Sequence, residues 1–155
     1  MSTINEIEIN VFIHAIEHYF KQISNEIAIV KAAYLSGGED LPPSFDYTGT
    51  ISLSGNYRGS IYFSAPRIMM RHLLIAMNEP NRSEQDFLDA IGEIANTLAG
   101  NARLHFGEMM QISIPSTAAA PFFKPPELTR EHPFVIMLKW QQYHASLVID
   151  MMQIR

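Results

Sequence analysis

The spacing of apolar positions divides the first half of the chain into segments of helical and of strand periodicity. Apolar residues at helical spacing predict an amphipathic helix from about Ile4 to Ile23, and Ile27 to Leu35 then predicts a strand. Apolar and polar residues alternate from Phe45 to Ser54, which indicates a half-buried strand. A turn over Gly55–Gly59 would lead into a second strand at Ser60–Ser64, so these two strands are expected to form a hairpin.

In the rest of the chain, segments of turn-forming residues alternate with further predicted helices and strands. Its predicted segments are a loop over Ser36–Ser44, a short helix from Pro66 to about Met77, a long helix capped by Ser83 and ending near His105, a strand at Gln111–Ile114, an irregular excursion over Ala118–His132, and two final strands at Phe134–Trp140 and Tyr143–Met151. This order predicts an α+β fold with a mainly antiparallel sheet and helices packed on it.

Length and composition restrict the class of protein. The 155 residues fit a single domain, 1–155, and 47% of them are hydrophobic. The chain has no cysteine, so thiolate chemistry and cysteine zinc sites are excluded. A net charge of −5 without a basic cluster disfavours nucleic-acid binding. The acidic amino terminus and the lack of a long apolar run predict a soluble cytoplasmic protein that does not cross a membrane.

The long helix has two opposite faces. At about 100° per residue, its apolar positions form one stripe. The stripe consists of Phe87, Ile91, Ile94, Leu98 and Ala102. Nearly opposite runs a polar seam of Asp86, Asp89, Glu93, Asn96, Gly100 and Arg103. Glu93 and Asn96, three residues apart, are expected to project side by side.

An ordinary solvated helix face would also be polar, but its composition would differ. Exposed faces usually carry good helix formers, whereas the positions outside this stripe include Gly92, Asn96, Thr97, Gly100 and Asn101. Each exposed glycine costs about 1 kcal/mol relative to alanine, and these five positions together about 3–4 kcal/mol. We therefore expect this face to be kept for a partner, with Gly100 allowing close approach of a partner's backbone.

Glu93 and Asn96 suit one kind of chemistry in particular. Hydrolysis of a phosphoryl group on a carboxylate requires an in-line water and charge neutralisation. A carboxamide can hold that water through one donor and one acceptor. A carboxylate three residues away can pair with a lysine of the partner. The site would need no perturbed or buried group in the free protein.

At these residues the sequence resembles the CheX family of chemotaxis phosphatases, within the CheC-like group. The family pattern is Asp or Ser, three residues, Glu, two residues, Asn, and then a downstream proline. Asp89, Glu93 and Asn96 match it within DAIGEIANTLAGNA, and Pro115 in the segment ISIP matches the proline after a shorter interval than the pattern leads us to expect. The single Glu-x-x-Asn favours CheX, because CheC-type members carry two such helices.

The resemblance implies a CheC-like fold and a specific activity. Family members hydrolyse the aspartyl-phosphate of CheY-like receiver domains; Asn96 would orient the attacking water and Glu93 would pair with the receiver's lysine. Asp89, Gly100 and Pro115 would contact that partner. The protein would need no cofactor of its own, since the Mg²⁺ belongs to the receiver. The resemblance also implies a homodimer formed through sheet edges, for which the final strands are candidates.

Two rival functions and one other candidate site stay open at this point. The same fold could serve as a non-catalytic module that binds a receiver domain or a flagellar switch component, although the intact Glu93–Asn96 pair favours catalysis. A small-molecule-binding domain is the other rival, but the sequence has no glycine-rich phosphate loop. His14 and His18 have the spacing of a metal pair but no third ligand, so a metal site is not predicted.

Overall fold

The structure is a computed structural model that describes residues 2–3, 5–37, 42–129 and 132–154. The predicted loop at 36–44 lies partly outside the described residues. In chain order the elements are β1 (Ser2–Thr3), α1 (Glu6–Ser24), β2 (Ala28–Leu35), β3 (Tyr47–Gly55), β4 (Tyr57–Ala65), α2 (Arg67–Ala76), α3 (Glu84–Phe106), β5 (Met110–Ile112), β6 (Ser116–Ala119), β7 (Phe134–Trp140) and β8 (Tyr143–Gln153).

One antiparallel sheet organises the described part of the chain. Its main path runs β2-β7-β8-β4-β3-β5; β1 pairs with the end of β8, and β6 pairs with β3 beside β5. Helices α1 and α3 pack on one face of this sheet, where their apolar stripes and the inward-facing strand residues form the main core. The predicted α+β fold with an antiparallel sheet is confirmed.

The ends of the two long helices are set by local chemistry that the sequence carries. Asn5 caps α1 and Ser83 caps α3, in each case as a capping box with the acidic side chain three residues later. Asn25, in a left-handed conformation with φ 58°, ends α1, and Gly107 with φ 98° ends α3. These caps place the boundaries within two residues of the predicted ones.

The second face of the sheet is covered by the segment between β6 and β7. Phe123 packs its ring against Tyr62 with centroids 5.6 Å apart, and the backbone N–H of Thr129 donates to the carboxylate of Asp150 at 2.7 Å. Thr48 occupies a polar position in the alternation of β3, yet it is buried and shares a 2.8 Å hydrogen bond with Ser64. The irregular segment predicted at 118–132 is wrong at its start, because Ala118 and Ala119 belong to β6 and pair with β3.

Two predicted features of the sheet are also wrong. The hairpin is tighter than the predicted turn at 55–59, because β4 already begins at Tyr57 and Gly55 makes the turn with φ 79°. The final strands do not provide a sheet edge: β7 lies between β2 and β8, and β8 between β7 and β4. The edge on that side is β2.

Candidate functional site

Helix α3 lies directly on β3 with its apolar stripe inward. The five stripe residues predicted from the sequence are all at most 2% exposed. The two elements approach so closely at Gly49 that a methyl group added there would lie 2.5 Å from the carbonyl oxygen of Ile91 and 3.2 Å from Cβ of Ala95. Gly49 was not singled out from the sequence. It lies between the buried residues Tyr47 and Ile51 of β3, and a glycine at such a position indicates close approach of another backbone.

The amino-terminal turn of α3 is tied to the rest of the domain by polar contacts. The hydroxyl of Tyr47 donates to the carboxylate of Glu84 at 2.7 Å, and Arg67 reaches the same carboxylate at 2.9 Å. The Arg67 guanidinium also lies 5.1 Å from the ring centroid of Phe87. Burial and the Glu84 carboxylate raise the pKa of Tyr47 to about 12, so this phenol stays a hydrogen-bond donor at neutral pH. These contacts fix the helix that carries the candidate site.

The middle of the polar seam is open to solvent. Asp89, Glu93 and Asn96 are exposed, as the sequence predicts. Within the described ranges, the side chains of Glu93 and Asn96 make no hydrogen bond or ion pair, whereas Asp89 accepts from Gln85 at 2.7 Å. A methyl group added at Gly100 would meet nothing within 4 Å. Both polar side chains are thus available to a partner, and no neighbouring side chain crowds the turn that follows them.

The two ends of the seam are engaged within the protein. Asp86 accepts from the backbone N–H of Ser83 at 2.8 Å, and these hydrogen bonds from the Ser83 hydroxyl and backbone lower the pKa of the Asp86 carboxyl. Arg103 donates through Nε to the carbonyl of Met110 at 2.7 Å and also reaches the carbonyl of Glu108. Asp86 therefore caps the helix, and Arg103 fastens the loop after it.

Gly92 is not part of the outer face. The sequence predicts it outside the apolar stripe, but it is buried beneath the segment that leads into β6. A Cβ at Gly92 would lie 2.9 Å from Cγ2 of Thr117 and 3.4 Å from Cβ of Pro115. The same contact places Pro115 against α3, one turn before Asn96 on the same side of the helix. Although the interval between Asn96 and Pro115 is shorter than the family pattern leads us to expect, Pro115 lies next to the seam.

The electrostatics of the seam favour a basic partner. Asp89 and Glu93 contribute two exposed carboxylates, while the charge of Arg103 is directed towards backbone carbonyls. Tyr19 lies on α1, which packs beside α3. Burial, and to a lesser degree the charge of Glu93, raises the pKa of the Tyr19 hydroxyl. Tyr19 therefore stays neutral, and the described contacts leave the carboxylate of Glu93 without a compensating cation. An incoming ammonium group would supply one.

Other candidate chemistry finds little support in the described part of the chain. Among these residues, no group of three or more histidine, aspartate or glutamate side chains could hold a metal ion, and His14 with His18 gains no third ligand. Nδ1 of His72 shares a 2.8 Å hydrogen bond with the hydroxyl of Tyr143. None of the described helices is both long and apolar enough to span a membrane.

An antiparallel sheet with helices packed on one face is the CheC-like fold that the resemblance implies. Residues 47–139 match the model of the family described as chemotaxis phosphatase CheX. The chain belongs to this family. The match includes α3 and the whole seam. No curated protein sequence gives a match.

Solved structures share the fold at low sequence identity. A chemotaxis protein from Desulfovibrio vulgaris Hildenborough is 19% identical with a TM-score of 0.82, covering 97% of this chain and 100% of its own. CheX from Vibrio vulnificus is 16% identical with a TM-score of 0.80, covering 94% and 99%. A chain of the CheX–CheY–BeF3–Mg²⁺ complex from Borrelia burgdorferi is 13% identical with a TM-score of 0.68, covering 94% and 98%.

Proposed function

We propose that this protein hydrolyses the aspartyl-phosphate of a CheY-like receiver domain, with Glu93 and Asn96 entering the receiver's phosphorylation site. One observation carries the proposal: in a member of the chemotaxis phosphatase family, these two side chains lie three residues apart on one helix, exposed and free of hydrogen bonds within the described residues. The related complex of CheX with CheY and BeF3 shows that a protein of this fold binds a receiver carrying a phosphoryl-like group. Such a receiver would place the activity in the cytoplasm.

Asn96 is the residue that orients the attacking water. Its carboxamide oxygen accepts one hydrogen of the water, which directs a lone pair of the water oxygen at phosphorus, opposite the acyl oxygen. As the new P–O bond forms, the bond from phosphorus to the aspartyl oxygen breaks. The electron pair stays on the carboxylate, the water loses a proton to solvent, and inorganic phosphate leaves. Because the amide does not change its protonation state during the reaction, it needs no buried environment, and an exposed position is sufficient.

Glu93 sets the docking register. Its carboxylate would pair with the receiver's lysine, and it brings Asn96 into position one helical turn away. Mg²⁺ bound by the receiver would neutralise charge on the phosphoryl oxygens. Asp89 and Pro115 border the pair on α3 and on the segment before β6, where they would contact the receiver surface.

The test is the decay of a phosphorylated CheY receiver, from the organism that encodes this chain, with and without the protein. Asn96→Ala should lower the hydrolysis rate at saturating protein by more than tenfold, or about 1.4 kcal/mol, with little change in receiver affinity. Glu93→Ala should weaken docking and turnover together. Asn101→Ala is the matched control, because Asn101 lies on the same helix about 140° around its axis from Asn96.

Each outcome has a definite reading. An equal rate for Asn96→Ala and wild type would show that Asn96 does not orient the water. Binding of the receiver without any acceleration by the wild-type protein would replace the phosphatase with the non-catalytic interaction module. A rate loss of the same size for Asn101→Ala would point to a general effect on the helix.

We also propose a homodimer, and the structure favours β2 as the strand that would form it. Among the described strands β2 pairs only with β7, so its other side is an unpaired edge. Ile29, Tyr34 and Leu35 on this strand are 42–50% exposed, and pairing with a second copy would bury them. Light scattering should show a dimer that Ile29→Lys converts to monomer. A monomeric wild-type protein at micromolar concentration would refute this arrangement.

A further inference from the structure

The two most exposed large apolar side chains among the described residues both lie beside the polar seam. Leu104 is 86% exposed and Ile114 is 87% exposed. A single exposed leucine or isoleucine is common on protein surfaces and needs no explanation. What distinguishes these two is their place, since they lie on either side of the exposed polar groups of one candidate docking face.

Leu104 extends the line of the seam along α3. It follows Glu93 by eleven residues and Gly100 by four, so helical geometry places it within about 20–40° of both. It lies about 6 Å beyond Gly100 along the helix axis. The apolar side chain is therefore on the outward face, past the open turn at Gly100, and outside the inward stripe. Its backbone belongs to the last turn of α3, where Arg103 fastens the following loop through the carbonyl of Met110.

Ile114 borders the seam on the other side. It directly precedes Pro115, whose ring packs against Gly92 on α3. The backbone around it is anchored by Ser113, whose N–H donates to the carbonyl of Ser52 at 3.0 Å and whose hydroxyl accepts from the N–H of Ser52 at 2.9 Å. Ile114 thus projects from a fixed backbone next to the exposed pair.

We propose that Leu104 and Ile114 are apolar anchors that the receiver domain covers when it docks on the seam. This inference rests on the proposed function, because the receiver is the occupant. The two carboxylates would align a basic group, but exposed charges contribute little affinity by themselves. Most of the affinity would come from removing the two apolar side chains from water, and the polar groups between them would set the register.

Leu104→Ser and Ile114→Ser test the proposal without removing any group from the proposed chemistry. Each should raise the receiver concentration needed for half-maximal hydrolysis by at least fivefold, and the double variant by at least twentyfold, with a maximal rate within twofold of wild type. The dissociation constant for the receiver loaded with beryllofluoride and Mg²⁺ should rise by the same factors. Asn96→Ala should show the opposite pattern, a lower maximal rate with a nearly unchanged dissociation constant.

Phe122→Ser is the matched control. Phe122 is 79% exposed, but it lines a cavity of about 320 Å³ with Thr50 and Ser52 on the face of the sheet opposite α3. Its loss should leave both constants unchanged. If the wild-type protein binds the receiver and the two serine variants bind it equally well, the anchors are refuted while the proposed function stands. If the wild-type protein neither binds nor hydrolyses, both proposals fall. Binding without hydrolysis leaves the anchors to be judged by the dissociation constants alone.

Discussion

Replacing Gly100 with alanine should stabilise the free protein and weaken its complex with the receiver. The residue lies inside α3, where alanine is preferred over glycine by about 0.8–1.0 kcal/mol because the backbone has fewer conformations to lose. The added methyl group would meet no atom within 4 Å, so no clash subtracts from this gain. For a domain of this size, the midpoint of thermal unfolding should rise by about 2–4 °C.

The effect on docking has the opposite sign. If a backbone segment of the receiver packs over the open turn at Gly100, a methyl group there would displace it. Overpacking of this kind typically costs about 1–3 kcal/mol. We expect the dissociation constant for the beryllofluoride-loaded receiver to rise by at least tenfold, or about 1.4 kcal/mol. Isothermal titration measures that constant, and circular dichroism on the same samples measures the unfolding midpoint.

Asn101→Ala separates the two effects. It also improves helix propensity, by roughly 0.5 kcal/mol, but the residue lies about 100° around the helix from Gly100. This variant should be stabilised and should bind normally. A Gly100→Ala protein that is more stable and binds the receiver with unchanged affinity would show that the glycine serves no contact. A less stable Gly100→Ala protein would contradict the open environment on which the prediction rests.

Two further predictions concern the scaffold. Gly49→Ala should lower stability by about 1–3 kcal/mol, because the methyl group would lie 2.5 Å from the carbonyl oxygen of Ile91 and push α3 off the sheet; an unchanged unfolding midpoint would contradict the close approach. Burial and the nearby Asp150 raise the pKa of Tyr62 to about 12, so the folded state retains this proton more strongly than the unfolded state. The resulting stability should be complete below pH 10 and lost between pH 10 and 12, at up to about 1.4 kcal/mol per pH unit. Tyr62→Phe should remove only its own share of the urea-measured loss in that window, because the pKa values of Tyr19 and Tyr47 are raised as well.

The features that the sequence predicted well are local ones. The start of α3 follows from Ser83 and from Asp86 three residues later. The inward stripe follows from the helical spacing of apolar residues, which any helix packed on a sheet with its other face in solvent shows. The exposed Glu93 and Asn96 follow from the same spacing. All of these depend on residues within a few turns of one another, so no knowledge of the tertiary structure was needed to place them.

The features that were missed depend on residues distant in the chain. The alternation in β3 predicted one buried face, but Thr48 on the other face is buried as well, beside Ser64, whose hydroxyl accepts from the backbone N–H of Phe45. The place of β7 and β8 inside the sheet is set by their pairing with β2 and β4. Strand order is decided by such pairings between distant segments, although the nearly continuous apolar runs of β7 and β8 are a local sign of strands buried on both faces.

The glycines of α3 show how the tertiary structure sharpens the argument for a partner. Gly92 and Gly100 have the same cost of helix propensity, yet Gly92 is required by the approach of Thr117 and Pro115, whereas nothing in the described residues requires Gly100. Apart from Gly92, the residues Asn96, Thr97, Gly100 and Asn101 carry about 2–3 kcal/mol of unfavourable helix propensity. Of these, Asn96 and Gly100 lie on the seam itself, directly after Glu93. The unexplained cost is thus partly concentrated where the proposed chemistry takes place, and a partner that uses both the amide and the empty space is the simplest physical reason for a helix to keep them.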